Sequence, residues 1–193
     1  FNDLFWITNP AYFFNMQSFR YTQDTIDAEL KKSKEDFILH FRSAYTDDYP
    51  PAWMIAEILP LGLLCRIYTN LKGNVIKKRV AQHFGLQVPV FSSWIVILAG
   101  LRNMCCHHCR TWNRELATIT TEPRRTKYGW IDSSRTDKRR MYYRICMIRY
   151  FLYTVSPNNN FKDKLKTLLA AYPNIDTAAM GFPSDWESED IWK

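Results

Sequence analysis

The sequence predicts an all-α fold, a helical bundle, on three observations. Apolar residues recur at helical spacing in successive segments, and proline, glycine and Ser/Asn clusters punctuate those segments. A chain of 193 residues, 16% of them aromatic, is long and apolar enough to bury one good core. Six glycines and no low-complexity tract exclude a disordered class. We expect an N-terminal helical segment over residues 1–45, joined to a domain over 46–193 and packed with it as one unit.

Taken in order, residues 1–19 are rich in aromatics around Pro10 and read as a packed segment without assigned conformation. From Asp24 to Ser43, Ile26, Leu30, Phe37 and Phe41 hold a helical period with lysines and acids outside. Pro51 to Leu71 is apolar nearly all round, which marks a central helix, and Pro60 and Gly62 should kink it. Glu57 in that setting needs a partner: it is either a surface carboxylate or the counter-ion of an arginine such as Arg102. A short basic helix runs from Gly73 to Gly85, where glycine ends it. The loop Leu86 to Phe91 then leads to Ser92-Ser93-Trp94, read as the cap of the next helix. Thr118 to Pro123 stops that helix, Ser156-Pro157 forms a turn, and Phe161 to Tyr172 is a final helix with Leu165, Leu168 and Leu169 inward.

The helix after Ser92 carries the chemistry. Leu101 to Arg114 packs three arginines, two asparagines and two of the four histidines into fourteen residues. Continued as a helix, it places Asn103, His107, Arg110 and Arg114 on one stripe and Arg102, Cys106, Cys109 and Asn113 on the next. Leu101, Cys105, His108 and Trp112 then form the buried seam, so His107 belongs to the polar face and His108 to the core or to a place behind the polar residues, supporting them. An imidazole, an always-charged guanidinium and a carboxamide suit a phosphodiester: one moves protons, one neutralises phosphate oxygens, one orients. That set fits metal-free RNA cleavage, with His107 as general acid/base, Arg102 on phosphate charge and Asn103 orienting. On one ideal helix Arg102 and His107 point about 140° apart, and a symmetric dimer brings two such sets together. The plain alternative is solvated arginines beside hydrogen-bonded histidines.

Arg102-Asn103-x3-His107 resembles the R-[polar]-x3-H signature of HEPN ribonuclease domains, found in toxins and RNA-guided CRISPR ribonucleases. The longer run Arg102 to Arg114 is similar to the R-N-x-C-A-H-H-x-R-x-W-N-R block of the Abi-like family, the AbiD/AbiF type of bacterial abortive-infection proteins. Pro51 to Glu57, Leu61 to Leu64, and Met180 to Pro183 with Trp186 resemble further blocks of that family, so the likeness spans roughly residues 40 to 193. Cys106 stands where the family usually has Ala, Cys109 where Ser is common, and Pro60-Leu61 where Ser-Phe is usual. The resemblance implies that 46–193 is a HEPN-like Abi domain serving phage defence as a ribonuclease toxin in the bacterial cytoplasm. It also implies a structured noncoding RNA as partner; His108, Asn113 and Glu57 are expected to support the site.

The net charge of +7 favours an anionic partner or, alternatively, only solubility. Arg124 to Tyr150 holds nine Lys or Arg against Asp132 and Asp137, a surplus equal to that of the whole chain. Its Arg124, Arg125, Lys127, Arg135, Lys138, Arg139 and Arg140, together with Arg110 and Arg114, form the expected RNA path. Tyr128, Trp130, Tyr142 and Tyr143 are either base-stacking platforms or the core side of a helix. The acidic tail with Trp186 and Trp192 should dock on the body, its acids covering a basic groove or facing a second subunit.

Five cysteines, three of them neighbours on one helix, do not make a disulfide framework, which suits a reducing cytoplasm. With no second Cys or His pair to complete a tetrahedron, no metal and no cofactor is expected. No uncharged apolar run reaches the ~20 residues of a membrane span. A non-catalytic RNA-binding module is the alternative to the endoribonuclease, and a nucleotide or nucleotidyl-transfer partner protein is a third.

Overall fold

Residues 3–193 are described by a computed structural model, and among them the chain is all-α: eight helices, short 3₁₀ turns and no strand beyond one isolated bridge. The helices are α1 (Met16–Lys32), α2 (Asp36–Ala44), α3 (Ala52–Ile58), α4 (Leu61–Asn70), α5 (Asn74–His83), α6 (Val88–Cys106), α7 (Met141–Val155) and α8 (Phe161–Ala171). The chain forms two compact units, Phe1–Lys77 and Lys78–Lys193. The boundary at 45/46 expected from sequence lies inside the first of them.

In the first unit, Asn15 caps α1 by accepting from the Ser18 N–H at 2.8 Å. The stripe Phe19, Ile26, then Ile55, Leu63 and Ile67 from α3 and α4, closes one core, and α1 packs on both those helices. Asn70, almost fully buried, exchanges two hydrogen bonds with the Asn15 backbone at 2.9 and 3.0 Å, which ties the end of α4 to the start of α1. Two expectations need correction here. The helix read over 24–43 is two helices, because Ser33 and Glu35 adopt extended backbone between α1 and α2. The helix read over 51–71 is broken rather than kinked: Pro60 forces Leu59 out of the helical region to ψ 144°, and α4 starts afresh behind it.

In the second unit, Trp94 of α6 is fully buried. Its ring meets Trp130 at 4.7 Å, Tyr150 at 5.4 Å and Phe151 at 5.9 Å, so α6, α7 and the loop between them share an aromatic core. The α6 N-terminus lies earlier than expected. Gln87 is the N-cap and Pro89 sits in the first turn, where its missing N–H costs nothing. Residues 107–140 have no regular helix, and the chain is held there by side chains: the Trp94 indole donates to the Thr121 carbonyl at 3.0 Å, and the Lys127 N–H to the Tyr150 hydroxyl at 3.0 Å. The tail docks as expected, with Ile191 and Trp192 fully buried and the Trp192 indole donating to Tyr142 at 3.1 Å. Leu165 of α8 is buried, whereas Leu168 is exposed rather than inward. By length and composition α6 is also the one described helix able to cross a membrane, a test that core helices of soluble proteins pass too.

Candidate functional site

The motif does not continue as one helix to Arg114. α6 ends at Cys106 in a Schellman closure: the Cys109 N–H reaches back to the Met104 carbonyl at 2.9 Å, and the His108 N–H to the Cys105 carbonyl at 3.1 Å. His107 occupies the cap, and His108 takes the left-handed residue at φ 53°. Left-handed backbone costs a non-glycine residue roughly 1 kcal/mol, although histidine is among the types found there more often.

The early end changes the assignment of faces. Arg102, Asn103 and His107 are all exposed. Cys105 and His108 are exposed too, and Trp112 is 41% exposed, so only Leu101 of the expected seam is buried. The correction for His108 follows from the turn: past Cys106 the backbone no longer advances at 100° per residue, and the period that put His108 in the core no longer applies. The Arg102 guanidinium donates to the Asn103 carboxamide oxygen at 3.3 Å. Among the described residues it has no carboxylate partner. Glu57 is exposed on α3, so the buried carboxylate that would have demanded a counter-ion is not there.

Beyond the turn, the cations fall into two groups. Arg135 pairs with Asp185 and with Glu189, the latter at 3.4 Å; Lys138 pairs with Glu122; Arg139 pairs with Glu115 at 2.6 Å. Arg140 approaches Asp137 at 3.8 Å and donates to the Asn113 side chain at 3.3 Å, with Asn113 itself at φ 46°. Hydrogen bonding from Lys138 holds the Glu122 carboxyl below its ordinary range, and Arg135 does the same for Asp185. Arg110, Arg114, Arg124, Arg125 and Lys127 are exposed and, among the described residues, have no carboxylate partner. Lys127 lies over the Tyr128 ring at 5.1 Å.

Of the aromatic residues interleaved with these cations, Tyr142 and Tyr143 are core, and Tyr128 and Trp130 are half-buried with their rings packed on other rings. Tyr142 and Tyr143 are fully buried, Trp130 packs on Trp94, and Tyr128 stacks on Tyr153 at 5.1 Å. Glu115, Glu122, Asp185 and Glu189 are the residues sequence reasoning underused: tail acids were visible, but not that they would neutralise this particular stretch. Arg144 is also buried; its guanidinium donates to the Thr118 carbonyl, and burial lowers its pKa. The cysteines are all free, with Cys65 and Cys146 buried and Cys105, Cys106 and Cys109 exposed. No three His, Cys, Asp or Glu side chains among the described residues come together as a metal site.

An all-α chain with an exposed Arg/Asn/His set at one helix end is what the geometry defines. The family model described as Abi-like protein matches residues 1–113, and the chain belongs to that family. No curated protein and no solved structure matches it. The match includes the N-terminal segment and the motif as far as Asn113, and it does not extend to the closing block at Met180 to Trp186. Its extent thus differs from the 40–193 expected from the blocks alone.

Proposed function

We propose that this Abi-like protein acts in abortive-infection defence against phage as a HEPN-type, metal-independent endoribonuclease of the AbiD/AbiF kind. The observation that carries the reading is the placement of Arg102, Asn103 and His107 together at the solvent-exposed end of α6, with the guanidinium bonded to the carboxamide and not neutralised by an acid. In the reaction, an imidazole takes the proton of the ribose 2′-OH as that oxygen attacks its own phosphate. A second protonated imidazole, or water, protonates the departing 5′ oxygen, and a cyclic phosphate results. His107 serves in the proton transfers, Arg102 offsets charge growing on the phosphate oxygens, and Asn103 orients.

A homodimer completes the site. Val96, Gly100, Asn103 and His107 are exposed at helical spacing; Val96 is 49% exposed, and a Cβ on Gly100 would meet nothing within 4 Å. A second copy laid on this stripe, with Val96 and Gly100 allowing close approach, sets the two polar motifs side by side. The RNA path narrows to Arg110, Arg114, Arg124, Arg125 and Lys127, while Arg135, Lys138, Arg139 and Arg140 hold the loop through their acids. A structured noncoding RNA is the proposed partner on this surface.

The test is incubation with mixed RNA in EDTA, reading cyclic-phosphate ends and molecular mass by light scattering. His107→Ala should lower cleavage by about 10² to 10⁴-fold and Arg102→Ala by a similar order. RNA binding that survives with no cleavage by the unmodified protein would instead assign a non-catalytic RNA-binding module. Cutting by a strict monomer would remove the shared site.

A further inference from the structure

The first unit carries a cavity that the nuclease reading does not use. It has a volume of about 460 Å³ and is formed between the start of the chain, α2 and α3. That size is in the range of small-molecule pockets. Phe5, Phe37, Tyr45 and Trp53 supply aromatic rings to its wall, and His40 and Asp47 supply the polar groups. Two of those rings stand open to solvent, Trp53 at 64% and Tyr45 at 58%, although burial would have stabilised both. Tyr45 is held in place all the same: Phe41 stacks on it at 5.3 Å and His40 meets it edge-on at 6.5 Å.

Charge selects the occupant. The protein as a whole carries +7, yet among the described residues no lysine or arginine lines this cavity. Its one carboxylate, Asp47, makes no hydrogen bond or ion pair with any described residue, and Asp48 follows it in the chain. A phosphate-bearing ligand would find no counter-charge here. Several aromatic faces and a free carboxylate suit a desolvated cation, since ring quadrupoles attract positive charge most strongly when it is poorly hydrated. We propose that this cavity binds a small organic cation, an aromatic or alkyl quaternary ammonium, with the rings around its charged head and Asp47 opposite.

The experiment uses the full chain and two probes of the same shape, phenyltrimethylammonium and its neutral isostere tert-butylbenzene, with adenosine monophosphate as a third. Binding is read by Trp fluorescence and by chemical-shift changes in the 37–54 region. The cation should bind about tenfold more tightly than the neutral isostere, the nucleotide least of all. Trp53→Ala and Asp47→Asn should each weaken the cation about fivefold while leaving the thermal transition in place, since both side chains are exposed. Equal binding of the neutral isostere, tighter binding of the nucleotide, or a cation affinity indifferent to both substitutions would overturn the proposal. His107→Ala is expected to bind the cation like the unmodified protein, so failure of the nuclease reading leaves this test untouched.

Discussion

α5 and α6 end in the same backbone knot but close it with different residues. At the end of α5 the Leu86 N–H bonds the Ala81 carbonyl at 3.0 Å and the Gly85 N–H the Gln82 carbonyl at 2.9 Å, with Gly85 left-handed at φ 66°. At the end of α6 the pattern repeats with His108 in the glycine position. The surroundings explain the choice. Gly85 lies against Lys127, where a Cβ would collide, and Leu86 beside it is buried. His108 faces solvent, so a side chain fits and only the backbone preference opposes it. One end is glycine because packing demands it; the other places His108 at the left-handed position, at a conformational cost.

The comparison breaks most easily at Gly85. Gly85→Ala adds a Cβ into Lys127 in a conformation that disfavours it, and should destabilise by about 2–4 kcal/mol, read from the urea midpoint. A loss under about 1 kcal/mol would show that the turn has room to yield.

Next in size, and opposite in sign, is His108→Gly. Relief of the left-handed backbone, less the entropy of a freer unfolded chain, should stabilise by a few tenths to about 1 kcal/mol. A loss instead would mean that the His108 side chain makes contacts that outweigh its backbone cost.

The smallest effect is acid loosening after α6. Glu122 and Asp185 have lowered pKa values in the fold, so their contribution is present above the ordinary carboxylate range near about 4 and is lost as pH falls through the lowered values. The Glu122–Lys138 pair sits at the surface and is worth a few tenths of a kcal/mol. Protection against amide exchange over 115–140, corrected for the slower intrinsic rate in acid, should therefore fall toward pH 3 relative to 83–86, which packing holds. Equal loss of protection in both segments would contradict the division.

Much of this contrast was legible in the sequence and part of it was not. Gly85 announced its helix end, because glycine has few other uses at such a position; Trp94, read as part of a cap, turned out to be core. The α6 end left no such mark: no glycine or proline stands between Leu101 and Glu122, and the helical period ran on through a turn built from histidine. Pro60 was visible but its force was underrated, since breaking the helix let α3 and α4 pack separately against α1. The exposure of Arg102, Asn103 and His107 followed from their chemistry. The neutralising of Arg135 and Arg139 did not, because it depends on Asp185 and Glu115, which are brought there only by the fold.

The bonds between Trp94 and Thr121, and between the Thr121 N–H and Ser93 at 3.1 Å, have a consequence for handling the protein. A protease that cuts after basic residues will find Arg124 and Arg125 open while Arg135 and Arg139 are occupied. A single nick there leaves α6 and α7 gripping each other through the indole core. The two pieces should then travel together on a sizing column and part only in denaturant.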